Sequence, residues 1–529
     1  MRITCQRTIK VQMTKSITIL WADDEIDLLR PHILFLNEKG YVVHTSNNGE
    51  DAIDAVKGSD FDIIFLDENM PGLSGLQVLE RIKTIRPHIP VVMITKNEEE
   101  TIMDEALGSK IADYLIKPVN PKQILLTIKK NVDTKRLISE KTTSKYQTEF
   151  SRIGLLINER LDWDSWTDVY RKLVYWELEL QETEEAAMDE VFKMQKRDAN
   201  INFARFIRSS YQDWFDSGET GTPILSPDVF RKRVFPLLGE GPVIVIVVDN
   251  LRYDQWKLME GMIQEYYSLN EELYCSILPS ATQYARNAMF SGMMPLEISR
   301  RYPELWVEDY DEQGKNLHEK EFLESQLRRN GLDVKLLYSK INNNREGAKF
   351  AENPNLLLDN DLSVLVYNFV DMLSHSKTEM RMIRELASDE AAYRSLTLSW
   401  FQHSPLLDLL RILSSEKVKI VLTTDHGTIR VQDPVKVIGD RFTTTNLRYK
   451  QGKNLNYNPR EVYEIVNPEK VHLPKPNVST SYIFAQGEDF FAYPNNYNHY
   501  VKYYRDTFQH GGVSLEEMVI PLISMVPKV

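Results

Sequence analysis

The chain has 529 residues, too many for one core, and its 42% apolar and 27% charged composition is that of an ordinary globular protein with about two to four domains. The balance of 64 basic against 77 acidic residues gives a net charge of −13, which excludes a sequence-independent grip on duplex DNA, because that needs a basic face. Two cysteines, Cys5 and Cys275, exclude a disulfide framework or a thiolate zinc site, and the apolar run Val243–Val248 is far too short for membrane insertion. Residues 1–14 carry basic side chains without the apolar stretch of a secretory signal. They are expected to be a disordered leader or a start-codon artefact, with Met13 as the alternative start, and the protein is expected to be cytoplasmic.

Residues 15–133 alternate between strand and helix patterns. Strands are expected at 16–22, 41–46, 61–67, 90–96 and 112–117, with helices at 27–40, 50–59, 76–86, 98–108 and 121–133. Five βα units of this length predict a doubly wound parallel sheet, with function at the C-terminal ends of its strands. Residues 134–221 show no strand pattern; apolar and aromatic residues recur there every three or four positions, as in a helical bundle. That connector is either a spacer or a partner-binding, dimerising element.

From 222 to 529 the α/β pattern returns on a larger scale. Buried strands are expected before Asp249, Asp371 and Asp425, so each delivers an acid to one sheet edge. The polar stretch 442–476 is expected to be a loop or lid. No repeat of solenoid length is visible, and no helix-turn-helix, kinase motif or P-loop occurs. The fold class is therefore α/β multidomain: a (βα)5 domain at 15–133, a helical connector at 134–221 and a large α/β domain at 222–529.

Phosphorylation of an aspartate needs a nucleophilic carboxylate, neighbouring carboxylates for a divalent ion, and a cation against the phosphoryl group. Asp23 and Asp24 end the first strand, Asp67 the third, Thr95 the fourth and Lys117 the fifth, so a parallel sheet gathers them at one edge. In this the segment resembles the receiver domains of response regulators. The resemblance implies that Asp67 is the phosphoacceptor and that Mg²⁺ is bound by Asp24, Asp67 and the Asn69 carbonyl, with Asp23 assisting. It also implies that Lys117, before a cis Pro118, pairs with the phosphate, and that Thr95 and Tyr114 form the switch pair.

The C-terminal domain carries Asp249, then Asp371 and His375 at i, i+4 spacing, Asp425-His426-Gly427, and His510-Gly511-Gly512. Carboxylate oxygen with imidazole nitrogen and no thiolate suits Zn²⁺ or Mn²⁺ in a hydrolytic site, and three Asp with three His suffice for two ions. Thr282 offers a hydroxyl nucleophile, and Arg286, one helical turn later, is expected to face the substrate phosphate. Ser514 and Glu517 form a capping box for the next helix. The remaining histidines (His32, His44, His88, His318, His403, His472 and His499) lack ligand spacing and are assigned to surface or core.

The order of these residues resembles the alkaline phosphatase superfamily, and the segment from His510 to Glu517 resembles its PglZ branch. The resemblance implies one zinc on Asp249, Thr282, Asp425 and His426, another on Asp371, His375 and His510, and a phosphothreonine intermediate at Thr282. The sulfatase signature is absent. A threonine nucleophile is closer to the nucleotide pyrophosphatase/phosphodiesterase members, which points to a nucleotide or short oligonucleotide diester.

The whole architecture resembles the PorX-type response regulators. That resemblance implies a cognate histidine kinase, secretion-motor or sigma-factor partners, regulation of type IX secretion, and two zinc ions in the output domain. The switch pair Thr95/Tyr114 motivates a phosphorylation-linked homodimer. Two functions follow: a phosphorylation-controlled, zinc-dependent phosphodiesterase, or a signalling adaptor whose metal domain is a docking surface.

Overall fold

The structure is a computed structural model that describes residues 17–86, 89–96, 111–181, 186–216, 221–309, 314–379, 386–387, 389–440 and 443–528, with the side chains of 133–141, 143–144, 186–187 and 375–379 outside that description. The leader 1–14, the helix expected at 98–108 and the side chain of His375 thus lie outside the described residues. The chain divides into two compact units, with the boundary between Lys145 and Tyr146.

In the first unit, strands β1 (Thr18–Ala22), β2 (Val42–Ser46), β3 (Ile63–Asp67), β4 (Val91–Thr95) and β5 (Asp113–Ile116) form a parallel sheet in the order β2-β1-β3-β4-β5. Alternation puts Leu20, Ile64 and Leu66 into one core layer and Ile19, Ile63 and Phe65 into the other, so β3 is buried on both faces. Helices α1 (Arg30–Glu38), α2 (Gly49–Gly58), α3 (Gly75–Ile85) and α4 (Pro121–Ile128) cover the sheet. The helix expected from residue 27 opens as a 3₁₀ turn, Ile26–Leu29, and becomes α-helical at Arg30, with Pro31 in the first turn where its missing N–H costs nothing. Ser74 and Gln77 form a reciprocal capping box at α3. Gly75 is needed there because a Cβ would run into the Asp67 carbonyl.

The second unit begins within helix α5 (Thr134–Leu156) and continues through α6 (Trp163–Gln181) and α7 (Ala186–Ser210). Its main sheet comprises β6 (Val243–Val248), β7 (Tyr267–Cys275), β8 (Leu336–Ile341), β9 (Leu362–Tyr367), β10 (Lys419–Thr423) and β11 (Val519–Pro527), in the order β7-β11-β10-β6-β9-β8. The four strands β10, β6, β9 and β8 run parallel, while β11 is antiparallel to both of its neighbours, β10 and β7. Tyr146, Trp166, Tyr170, Phe203 and Ile207 of the helices belong to the same buried cluster as β6, β9 and β10. From Tyr146 onward the helical connector is therefore part of the output domain rather than a detached spacer: its aromatic stripes are that domain's core.

The stretch 442–476 is not a free loop or lid: its connecting segments join two short strands of a packed sheet. Tyr449–Lys453 and Tyr463–Ile465 flank Thr480–Phe484 in an antiparallel sheet. Tyr449, Tyr463, Ile465, Val471 and Leu473 are buried, and so are the polar Lys450 and Gln451, which are satisfied internally. Lys450 donates to the Thr444 carbonyl at 2.8 Å and Gln451 to the Tyr482 hydroxyl at 2.7 Å. No helix among the described residues is long and apolar enough to cross a membrane.

Candidate functional site: phosphoacceptor pocket and metal centre

Parallel pairing of β1, β3, β4 and β5 sets Asp23, Asp67, Thr95 and Lys117 at one edge of the first sheet. Lys117 Nζ lies 2.9 Å from Asp23 Oδ2 and 2.9 Å from Asp67 Oδ1. Asp23, Asp24 and Asp67 each bring a carboxylate oxygen within 4.8 Å of the others; Asp23 and Asp67 are buried and Asp24 is open to solvent. One lysine against three carboxylates leaves an excess of negative charge, and the all-oxygen donor set suits a hard divalent cation such as Mg²⁺. Burial, reinforced by Asp23 and Asp24, holds the Asp67 carboxyl above its ordinary range despite the pull of Lys117. Thr95 is buried at the end of β4, Asn69 lies in the bend after Asp67, and the Lys117–Pro118 peptide is cis. Tyr114 is 41% exposed.

In the second unit Asp249 follows β6 directly, and Asp425-His426 follow β10. Thr282 opens helix α8 (Thr282–Ser291). Thr282 Oγ1 lies 3.0 Å from His426 Nε2, which is 3.6 Å from Asp425 Oδ2 and 4.0 Å from Asp249 Oδ1. His426 Nδ1 is 3.1 Å from the Gly427 carbonyl, so Nδ1 carries the proton and donates. In the neutral ring Nε2 is then the lone pair, which can accept the Thr282 hydroxyl or bind a cation. Among the described residues the buried Asp249 Oδ1 has no hydrogen-bond partner. Ligands bound to zinc at about 2.0–2.1 Å in a tetrahedron stand about 3.3 Å apart. The three separations measured from His426 bracket that edge, and Asp249, Asp425 and His426 each offer a ligand atom within 4.8 Å of the others, so this donor set suits a zinc ion.

Asp371 sits in the first turn of helix α9 (Phe369–Glu379), four residues beyond β9 rather than at the strand end. Its Oδ1 is 3.9 Å from His510 Nε2, and the His510 ring stacks on His426 with centroids 4.3 Å apart. His375 lies one turn further along α9, as its spacing requires, but its side chain is outside the described residues. Asp249, Thr282, Asp425 and His426 thus form one cluster, with Asp371 and His510 against it.

Arg286 does not face a substrate phosphate. Its guanidinium is fully buried and pairs with Asp249, with Asp425 at 3.0 Å and with Glu319 at 3.5 Å. The helical turn between Thr282 and Arg286 points the long side chain down into the carboxylates, where their charge outweighs the cost of burying it. Burial raises the Asp249 carboxyl while Arg286 opposes it; at Asp425, Arg286 and His426 overcome burial and hold the carboxyl down at about 2.

Further parts were not visible in the sequence pattern. Asn250, at φ +65°, ties the two clusters together. Its N–H reaches Asp425 Oδ1 at 3.5 Å, and Nδ2 donates to Asp371 Oδ1 at 3.3 Å and Ser374 Oγ at 3.1 Å. Asparagine tolerates the left-handed conformation, and an Asp-Asn pair closing a buried strand was the available signal. The turn after His510 has Gly511 at φ +119°. Ser514 caps helix α10 (Leu515–Met518), but only half of the expected capping box forms. The Glu517 carboxylate instead accepts the Gly512 N–H at 2.8 Å, the Ser514 hydroxyl at 2.7 Å and the buried Arg448 guanidinium at 2.6 Å.

Comparison with known proteins agrees with this division of the chain. The response regulator receiver domain family matches residues 19–129, the PorX response regulator linker domain family residues 136–215, and the BREX system PglZ alkaline phosphatase-like domain family residues 229–525, more than half of the chain. Among similar proteins, the transcriptional regulatory protein ZraR of Klebsiella oxytoca is 32% identical over 140 residues, which is 26% of this chain and 32% of that protein. ResD of Bacillus subtilis (strain 168) is 29% identical over 119 residues, 22% of this chain and 49% of that protein, so the chain spans under half the length of these relatives. Among solved structures, a CheY-like receiver domain from Methanospirillum hungatei JF-1 is 25% identical with a TM-score of 0.22, covering 23% of this chain and 96% of that one. A two-component response regulator from Clostridium difficile is 29% identical with a TM-score of 0.22, covering 22% and 97%. The chain belongs to the PglZ alkaline phosphatase-like family, in the response-regulator form that joins a receiver domain and a PorX-type linker to the PglZ domain.

Proposed function

We propose that the protein is a zinc-dependent phosphodiesterase whose activity is set by phosphorylation of Asp67, with Thr282 as nucleophile. The observation that carries this reading is the Thr282 hydroxyl at the first position of α8, 3.0 Å from His426 Nε2 and beside Asp249 and Asp425. Two zinc ions, one on Asp249, Thr282, Asp425 and His426 and the other on Asp371, His375 and His510, would neutralise the phosphate and acidify the nucleophile. Thr282 Oγ forms the new bond to phosphorus as the ester oxygen leaves, and the N-terminal end of α8 favours the negative charge of the phosphoryl group. Arg286 and Asn250 hold the carboxylates in place. Hydrolysis of the threonine ester then returns the enzyme.

A receiver domain implies a cognate kinase, here a histidine kinase that charges Asp67 with Mg²⁺ held by Asp23, Asp24 and Asp67. Phosphorylation adds about −1.5 to −2 charge beside Asp23 and Asp24, and Thr95, Tyr114 and Lys117 would respond by closing on the phosphoryl group. We further propose a cytoplasmic protein that dimerises on phosphorylation, takes a nucleotide or short oligonucleotide diester, and acts in type IX secretion through secretion-motor or sigma-factor partners. The PorX-type linker supports the last reading.

The test is hydrolysis of bis(4-nitrophenyl) phosphate by full-length protein with and without acetyl phosphate. Activity is expected to vanish in Thr282→Ala and on chelation, and to return with zinc. Zinc-replete protein that cleaves no phosphodiester in either state would refute the assignment.

A further inference from the structure

The helical linker is bonded to the metal turns by a short run of buried polar side chains on α7. Gln195, 3% exposed, donates from Nε2 to the Phe150 carbonyl at 2.8 Å and accepts the Tyr146 hydroxyl at 3.1 Å, so it reads two residues of α5. The adjacent Lys196 places Nζ 2.9 Å from Glu177 of α6 and 3.1 Å from Glu516. One turn on, Asn200, 2% exposed, accepts the Leu515 N–H at 2.8 Å and donates to Glu516 Oε2 at 3.0 Å. The amide offers an acceptor to that N–H and a donor to that carboxylate at once.

Leu515 and Glu516 open α10, which holds both ligand turns. The Gly427 N–H, beside His426, donates to the Glu517 carbonyl at 3.2 Å, and a Cβ on Gly427 would strike the Glu516 carbonyl. The Gly512 N–H, two residues from His510, donates to Glu517 Oε1 at 2.8 Å. Contacts therefore run without a gap from α5, the helix on which the chain leaves the receiver, through α7 to the turns that carry His426 and His510.

We infer that α7 is a relay: Gln195, Lys196 and Asn200 are positioning residues through which the state of α5 sets the placement of the metal-ligand turns. The relay concerns the regulation of the site proposed above and rests on that reading only for its effect on activity. A helix shift of about 1–2 Å, ordinary in switching proteins, exceeds what hydrogen bonds of this length absorb, so α10 must follow α7 or release it. Gln195 and Asn200 are buried, so water does not readily substitute for a partner lost at either amide.

Amide hydrogen exchange on the full-length protein, with Asp67 left free or loaded with beryllofluoride, tests this without needing a substrate. In the wild type, exchange in peptides covering 425–428 and 510–517 is expected to change by about fivefold or more on loading, the lower range of allosteric coupling. Gln195→Met, which touches neither ligand turn, should abolish that change while the peptides around Asp67 and Thr95 still respond. Tyr146→Phe, which removes a single hydroxyl, should weaken the change and serves if Gln195→Met does not fold. A wild type whose receiver peptides respond while 510–517 does not, or Gln195→Met and Tyr146→Phe proteins that respond as the wild type does, would overturn the relay. A protein that shows the predicted exchange pattern yet cleaves no diester would keep the relay and refute the phosphodiesterase.

Discussion

Replacing Arg286 by Met tests whether the carboxylates form a site for cations. The substitution preserves the length of the buried stem and removes the one guanidinium that pairs with Asp249, Asp425 and Glu319 together. Glu319 keeps Lys340, whose Nζ is 3.0 Å away, so the loss falls on Asp249 and Asp425. Breaking a buried pair by removing one partner costs about 3–5 kcal/mol. Asp249 limits that cost, because a carboxyl already raised by burial takes up a proton more readily than Asp425 does. A net loss near 3 kcal/mol should lower the melting temperature by roughly 3–5 °C in a unit that spans Tyr146–Val529. The assay is thermal unfolding of the full-length protein in EDTA and in zinc. Zinc replaces the missing positive charge, so at least half of the deficit should disappear when it is added. A variant that melts within about 1 °C of the wild type in EDTA would show that Arg286 does not hold the cluster, on the scale set by that estimate. A deficit unchanged by zinc would show that these carboxylates are not its ligands.

Asp67→Asn should abolish labelling by acetyl phosphate, seen as loss of the retarded band in a phosphate-affinity gel; a band that persists would move the phosphoacceptor elsewhere. Glu517→Gln should destabilise the second unit by about 3–5 kcal/mol, because it leaves the buried Arg448 without its anion; urea unfolding measures this, and an unchanged midpoint would refute the role of Glu517 in bracing the turn. Burial brings the Lys450 ammonium down to about 7 from its ordinary 10.5, so between those values the unfolded chain binds the extra proton and stability rises with pH. Lys450→Met should remove that rise, which is at most about 1.4 kcal/mol per pH unit; parallel stability curves for variant and wild type from pH 7 to 10 would contradict it.

The strand-end acids were legible because a wholly apolar run such as Val243–Val248 ends abruptly at Asp249, and parallel pairing lines up such ends whatever the loops do. The cluster of Asp23, Asp24, Asp67 and Lys117 was legible for the same reason. The direction of Arg286 was not: spacing places it one turn from Thr282 but does not say whether the side chain points outward to a phosphate or inward to three carboxylates. Asn250 was hidden because its role depends on a left-handed backbone, and Glu319 because it is distant in sequence from every group it serves. The stretch 442–476 looked solvated since Lys450 and Gln451 are polar by type; only their partners, Thr444 and Tyr482, reveal a packed sheet. The aromatic periodicity of the linker announced helices, but not that Trp166, Tyr170 and Phe203 would complete the core of the output domain.

The central claim is that Thr282 is the nucleophile of a phosphoryl-transfer site. Rapid quenching of zinc-loaded protein during turnover of a nucleotide diester, followed by peptide mass mapping, measures this most directly. A covalent phosphoryl or nucleotidyl adduct on the peptide containing Thr282, formed fast enough to account for turnover and absent from Thr282→Ala, is the expected result. Hydrolysis that continues undiminished in Thr282→Ala, with no adduct on that peptide in the wild type, would contradict it.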